Sequence, residues 1–236
     1  MAGVRQIARG VLTGLCAVAL VLSGTALGSE PEATPPPVYP VKRVSRAPLL
    51  DGILDDPAWE EVSFGVLEWN VDDGTLWTDV TDTEVRFKAV WREDALYLAL
   101  LIDDDERFVD SEQPERSDRV VLYVTEYFGD AVGRWYTIPL FQSASLEDPD
   151  APFVVWGQEG RTCEIRLDVE AMYAEPPEMG LNLFYMDADT GQPETRLGWV
   201  APSTPYETPQ GIFRFFQRLD PSTTLMTTWG RMKSLY

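Results

Sequence analysis

Apolar and polar positions alternate along this chain in the manner of short β-strands. From Glu84 to Trp91 the period is two: Val85, Phe87, Ala89 and Trp91 share one face, and Glu84, Arg86 and Lys88 share the other. Ala95 to Ile102 follows as an unbroken apolar run of strand length, which suits a strand covered on both faces. The polar Arg92-Glu93-Asp94 between the two predicts a hairpin. Arg119 to Thr125, Arg134 to Phe141, Phe153 to Trp156, Thr162 to Val169 and Leu181 to Met186 read as further strands. So do Arg196 to Val200, Ile212 to Arg218 and Thr228 to Leu235. Asp168 to Tyr173 has room for one helical turn before Pro176-Pro177 stops it. No amphipathic segment is long enough for a conventional helix, and no internal repeat is present. Short strands broken by Gly, Pro and Asp predict an all-β fold. The expected architecture is an antiparallel β-sandwich of immunoglobulin or jelly-roll type, with short helical turns only.

Two stretches precede this pattern. Residues 1–28 carry Arg5 and Arg9, an apolar or small run from Gly10 to Gly24, and Ala26-Leu27-Gly28 with small residues where a signal peptidase reads. They predict a signal peptide cut before Ser29. The product would be secreted, periplasmic or at the cell surface, and not an integral membrane protein after cleavage. Residues 29–40 are Pro-rich and aperiodic, a semi-rigid linker to a domain spanning 41–236. That domain opens on Leu50 to Trp59 (LDGILDDPAW). Asp51-Gly52 is a tight-turn dipeptide, Asp55-Asp56-Pro57 caps a short turn, and Trp59 is an apolar plug for the core.

Charge and composition then remove whole classes of function. The net charge of -20 repels phosphate backbones, so no nucleic-acid partner is expected. The chain has no histidine, which excludes Ser-His-Asp and Cys-His catalysis and His-ligated metals. Cys16 leaves with the signal peptide, so Cys163 has no internal disulfide partner and reads as a packed small side chain. Phosphate-binding glycine loops are absent. Carboxylates remain. Asp103-Asp104-Asp105 at a strand exit is the place where oxygen ligands could converge on calcium, with Asp72-Asp73 and Asp187/Asp189 as thinner versions. Aromatic rings are the other resource: 8 Trp, 9 Tyr and 10 Phe offer flat faces on which sugar C–H groups pack. Trp69, Trp77, Trp135 and Tyr206 lie in polar surroundings and are the rings expected at the surface.

LDGILDDPAW resembles the opening motif of carbohydrate-binding module family 9-like domains, a DOMON-related β-sandwich group. Further landmarks resemble that family in order: Thr83 to Asp105, Ser117 to Val124, Cys163 to Met172, Gly180 to Asp189 with its central Asn182, Trp199, and Trp229 to Leu235. The resemblance implies a secreted, non-catalytic domain that binds the ends of plant-type polysaccharides or oligosaccharides. Such domains accompany xylanases and other glycoside hydrolases of carbohydrate catabolism. It also implies structural calcium. Asp118 matches the family's acid, Glu115 lies where a clamp aromatic is expected, and Tyr206 is the nearest match to a second one. A carboxylate expected inside the following strand falls on Val121. The carbohydrate site is therefore expected at Tyr206, Trp77, Trp69, Glu115, Asp118 and Asn182, and a metal at Asp103, Asp104 and Asp105. Haem, which leans on His and Met ligands in DOMON relatives, is not expected. The alternative function is an envelope sandwich that binds a protein partner and has lost the sugar site.

Overall fold

A computed structural model describes residues 35–93, 95–125, 128, 132–142, 151–168, 178–189, 191–192, 194–202 and 210–216. Its elements are β1 (Val38–Arg43), α1 (Pro57–Glu60), β2 (Gly65–Val66), β3 (Trp69–Asn70), β4 (Thr83–Arg92), β5 (Ala95–Asp104) and β6 (Arg119–Thr125). They continue with β7 (Arg134–Pro139), β8 (Phe153–Trp156), β9 (Thr162–Asp168), β10 (Glu178–Asp187), β11 (Thr195–Gly198) and β12 (Gly211–Phe216). Among the described residues no helix is long and apolar enough to cross a membrane.

The strands form an all-β sandwich. One layer runs β2-β4-β5-β9-β8, and the other is built on β10, which pairs with β6 on one side and with β12 and β11 on the other. β7 extends the second layer beyond β6, and β3 extends it beyond β11. The predicted hairpin forms over its full length, from Thr83 opposite Asp104 to Arg92 opposite Ala95. Period two places the core where it was expected: Val85, Phe87, Ala89 and Trp91 face Leu122, Leu181, Leu183 and Phe213 of the other layer in one cluster. Cys163 is buried in that cluster.

β1 joins the two layers. It pairs in parallel with β12 from Val38 to Lys42 and with β4 at Lys42 and Arg43. Strand structure therefore starts at Val38, and the last three residues assigned to the linker belong to the sandwich. Proline-rich composition hid the alternation of Tyr39 and Val41, both buried. The Tyr39 ring packs 4.9 Å from Phe87 and 5.3 Å from Phe213. The expected strand Thr228 to Leu235 and most of the turn at Asp168 to Tyr173 lie outside the described residues.

The opening stretch lies on the outer face of the first layer. Trp59, on α1, is buried with Val90, Tyr97 and Ala99. Its position is set by one carboxylate that carries no motif of its own in the sequence. Glu164, on the outer side of β9, accepts hydrogen bonds from the amides of Asp51 (3.0 Å) and Gly52 (2.7 Å) and from Trp59 Nε1 (3.0 Å). Gly52 needs its freedom, with φ +83° and room for a Cβ only 2.6 Å from Gly157 Cα. Asp56 does not cap α1 with its side chain; its carboxylate accepts instead from the Leu49 amide. Pro57 stands in the first turn as expected.

Removing Glu164 leaves three donors without their acceptor, so Glu164→Ala is expected to cost about 3–5 kcal/mol of unfolding free energy. Glu164→Gln also destabilises, because its NH2 group meets a donor. Urea unfolding checks both, and a Glu164→Ala loss below about 1 kcal/mol would show that this carboxylate does not hold the latch.

Candidate functional site: an aromatic face and a buried carboxylate cluster

In β6, Val120 and Leu122 enter the core, so Arg119, Val121 and Tyr123 face outward from the second layer. Pairing brings Tyr123 opposite Trp135 of β7 and Asn182 of β10, and Val121 opposite Thr137 and Phe184. Tyr123 and Phe184 are each 5% exposed, whereas Trp135 is 54% exposed. The indole lies 4.7 Å from Tyr123 and stacks at 24° and 5.9 Å on Phe184. Trp135 thus rests across two buried rings with its free face toward solvent. Gly133 leaves room for the arrangement, since a Cβ there would sit 2.6 Å from Tyr123 Cζ. An exposed ring already held by its neighbours loses little freedom when a ligand packs on it.

The residues expected to bind sugar are distributed differently. Asn182 is fully buried, and its Oδ1 accepts from the Val200 amide at 3.2 Å. Asp118 is also fully buried; its carboxylate accepts from the amides of Phe108 (2.8 Å) and Ala188 (3.0 Å), pinning two loops to the base of β6. Trp77 is half-buried against the core and donates from Nε1 to Thr83 O at 2.9 Å. Trp69 is half-buried in β3 opposite Gly198, which itself opposes Phe184, so it lies on the register row of the aromatic face. Glu115 is exposed in the turn before β6, at the end of that strand remote from Trp135. Tyr206 lies outside the described residues. Tyr123 and Phe184 were not among the expected site residues. Their outward positions follow from alternation within the predicted strands, but their meeting depends on cross-strand register.

At the end of the sandwich remote from Trp135, where β4 begins and β5 and β10 finish, carboxylates gather between the layers. Tyr185 donates to Asp104 Oδ2 at 2.5 Å, and Thr83 Oγ1 donates to Asp187 Oδ2 at 2.5 Å. Carboxylate oxygens of Asp104, Asp187 and Asp189 lie within 4.8 Å of one another, and so do those of Asp82, Asp189 and Glu194. Oδ1 of Asp187 and Oδ1 of Asp189 are buried without a hydrogen-bond partner. Burial, then the charge of Asp104 and its neighbours, pushes Asp187 up to about 7; burial chiefly does the same to Asp118, also about 7. Orphaned carboxylate oxygens in an all-oxygen set fit a hard divalent cation such as calcium. Only one of the three expected ligands joins the set. Strand alternation turns Asp104 inward and sends Asp103 out to Arg161 at 3.3 Å, while Asp105 is exposed; burial, and then the charge of Asp105, raises the pKa of Asp82.

No family model matches the chain, and none of the curated proteins matches it. Solved structures do. A carbohydrate-binding module family 9 from Caldicellulosiruptor kristjanssonii in complex with cellotriose matches with a TM-score of 0.61 at 18% identity, covering 78% of this chain and 95% of that one. The same module in complex with glucose matches with a TM-score of 0.61 at 18% identity, covering 78% and 97%. A structure from Bacteroides uniformis ATCC 8492 matches with a TM-score of 0.50 at 14% identity, covering 77% and 100%. At these identities the likeness is one of fold. This chain has a carbohydrate-binding module family 9-like β-sandwich fold.

The carboxylate cluster sets a pH dependence for the ion-free protein. Asp118 and Asp187 move from an ordinary 3.8 to about 7 on folding, so the folded state holds more protons between those values. Their protonated, favourable state is complete below 3.8 and is lost as pH rises through about 7. Chelator-treated protein should therefore melt at a lower temperature at pH 8 than at pH 5. Calorimetric midpoints that are equal, or higher at pH 8, would count against this.

Proposed function

We propose that this chain is a non-catalytic carbohydrate-binding domain whose ligand stacks a sugar ring on Trp135. The observation that carries the reading is that ring: half exposed, stacked on Phe184 and tilted at 45° against Tyr123, on a sandwich of this fold. Sugars present C–H faces that pack on indole, and a fixed indole supplies area at low entropic cost. Glycoside hydrolysis needs two carboxyl groups flanking the scissile bond. Between Arg119 and Tyr123, and on the partner segments Trp135 to Pro139 and Asn182 to Met186, there is no Asp or Glu. The finer expectations belong to the same reading: a secreted or envelope location, and the ends of plant-type oligosaccharides as ligands.

Calcium is the second part of the proposal. Asp104, Asp187 and Asp189 would hold it, and the ion would supply positive charge to carboxylates otherwise crowded between the layers. One observation favours the partner-binding alternative. Val121, where a carboxylate was expected, is apolar and buried beside the platform, so the face there has no acid to hydrogen-bond hydroxyls.

Titration calorimetry with cellotriose, glucose and xylo-oligosaccharides tests the first part. Trp135→Ala should weaken binding by about 2 kcal/mol, roughly thirtyfold, while the domain stays folded. If the folded wild type bound none of these sugars and instead retained a stable protein partner, the alternative would stand. For calcium, saturation at a hundred times Kd should raise unfolding free energy by about 2.7 kcal/mol, and Asp187→Asn should lose most of that response. A wild-type melting curve unmoved by calcium or chelator would remove the ion.

A further inference from the structure

We propose that the aromatic face selects acidic sugars: Arg119 receives the carboxylate of a uronic-acid residue in an oligosaccharide whose other end stacks on Trp135. This rests on the carbohydrate reading and narrows it to one ligand class. Arg119 lies on the outward row of β6, four residues from Tyr123 and hence about 13 Å along the strand from the Trp135 row. A short oligosaccharide spans that distance. Its cross-strand neighbours are Pro139 and Met186, neither of which can pair with a cation. Between the two rows Thr137 is exposed and Val121 is buried, and neither position carries an acid.

The state of the guanidinium suits it to this role. Arg119 Nη1 donates to two main-chain oxygens, Glu115 O at 2.7 Å and Ser117 O at 3.0 Å. Those bonds hold the side chain and leave Nε and Nη2 without a partner among the described residues. No described carboxylate reaches ion-pair distance of it. Burial works against its charge, and Asp118 and Glu115 favour that charge only from farther away. Several other guanidinium groups of this acidic chain meet carboxylates: Arg196, on β11 beyond β10 in the same layer, pairs with Asp72, Arg161 with Asp103, Arg166 with Asp168, and Arg214 with Glu178, whereas Arg43, Arg46 and Arg107, like Arg119, have no ion pair among the described residues. A half-buried, anchored guanidinium with free N–H groups is suited to a planar carboxylate, which it can take in bidentate fashion. At physiological ionic strength the Debye length is about 8 Å, so the net negative charge of the chain is screened while a direct contact is not.

Glucuronate-substituted xylo-oligosaccharides and unsubstituted ones of the same length, titrated into the full domain at physiological salt, test the inference. The acidic sugar should bind about tenfold tighter, as expected of one charge-assisted hydrogen-bonded contact. Arg119→Gln should bring the ratio of affinities to about one, and Arg119→Lys, which keeps charge but not the fork, to an intermediate value. Arg196→Gln, whose charge is already paired, should leave the ratio as in wild type. Equal affinities in the wild type overturn the inference, and that comparison suffices even where a variant does not fold. A ratio unchanged in folded Arg119→Gln overturns it as well. Loss of binding to both sugars by the folded wild type removes the carbohydrate reading itself, whereas retained neutral-sugar binding without acidic preference removes only the role of Arg119.

Discussion

Two hydrogen bonds across the interior, from Tyr185 to Asp104 and from Thr83 to Asp187, set the terms for one end of this sandwich. They join strands of opposite layers, so they fix how β10 sits over β4 and β5. They also keep carboxylates where water cannot solvate them. A buried carboxylate is stable only if protonated, hydrogen-bonded or neutralised by a cation. Here one oxygen of Asp187 is satisfied and the other has no partner, and Asp118 is raised by the same burial. The conflict is electrostatic, and it is the conflict that the proposed hard cation would relieve.

The outer face of the second layer depends on that end. β6 starts at Asp118, whose carboxylate pins the loops at Phe108 and Ala188, and β10 finishes at Asp187. Register between these strands places Tyr123 beside Asn182 and Val121 beside Phe184. A slip of one residue would turn Tyr123 and Phe184 inward and leave Trp135 nothing to rest on. The rigidity of the platform is thus inherited from buried polar contacts that touch no ligand. Asp118 and Asn182, which family resemblance places in the sugar site, serve the described structure as acceptors for buried amides.

On the opposite layer the division of labour is similar. Trp59 and the turn at Gly52 are visible in the sequence as a motif, but their stability comes from Glu164, more than a hundred residues away. Nothing local distinguishes Glu164 from the other acids of the chain. Its neighbours Cys163 and Ile165 face the core, so alternation places it outward, where a polar residue is ordinary. Only the arrival of the opening stretch on that face makes it a buried acceptor.

Strand identity, the hairpin of β4 and β5, the core faces and the family-like fold follow from periodicity and motif, because alternation is a local property that each segment carries by itself. Proline obscures the start at Val38, and the run Asp103-Asp104-Asp105, one cluster in sequence, is divided by strand geometry between inside and outside. What the tertiary structure alone decided is the company each side chain keeps: Trp135 over Tyr123 and Phe184, Asp104 with Asp187 and Asp189, and Arg119 apart from any carboxylate partner among the described residues. Those meetings are set by register between strands distant in sequence and by the packing of two layers, and neither leaves a periodic trace in the chain.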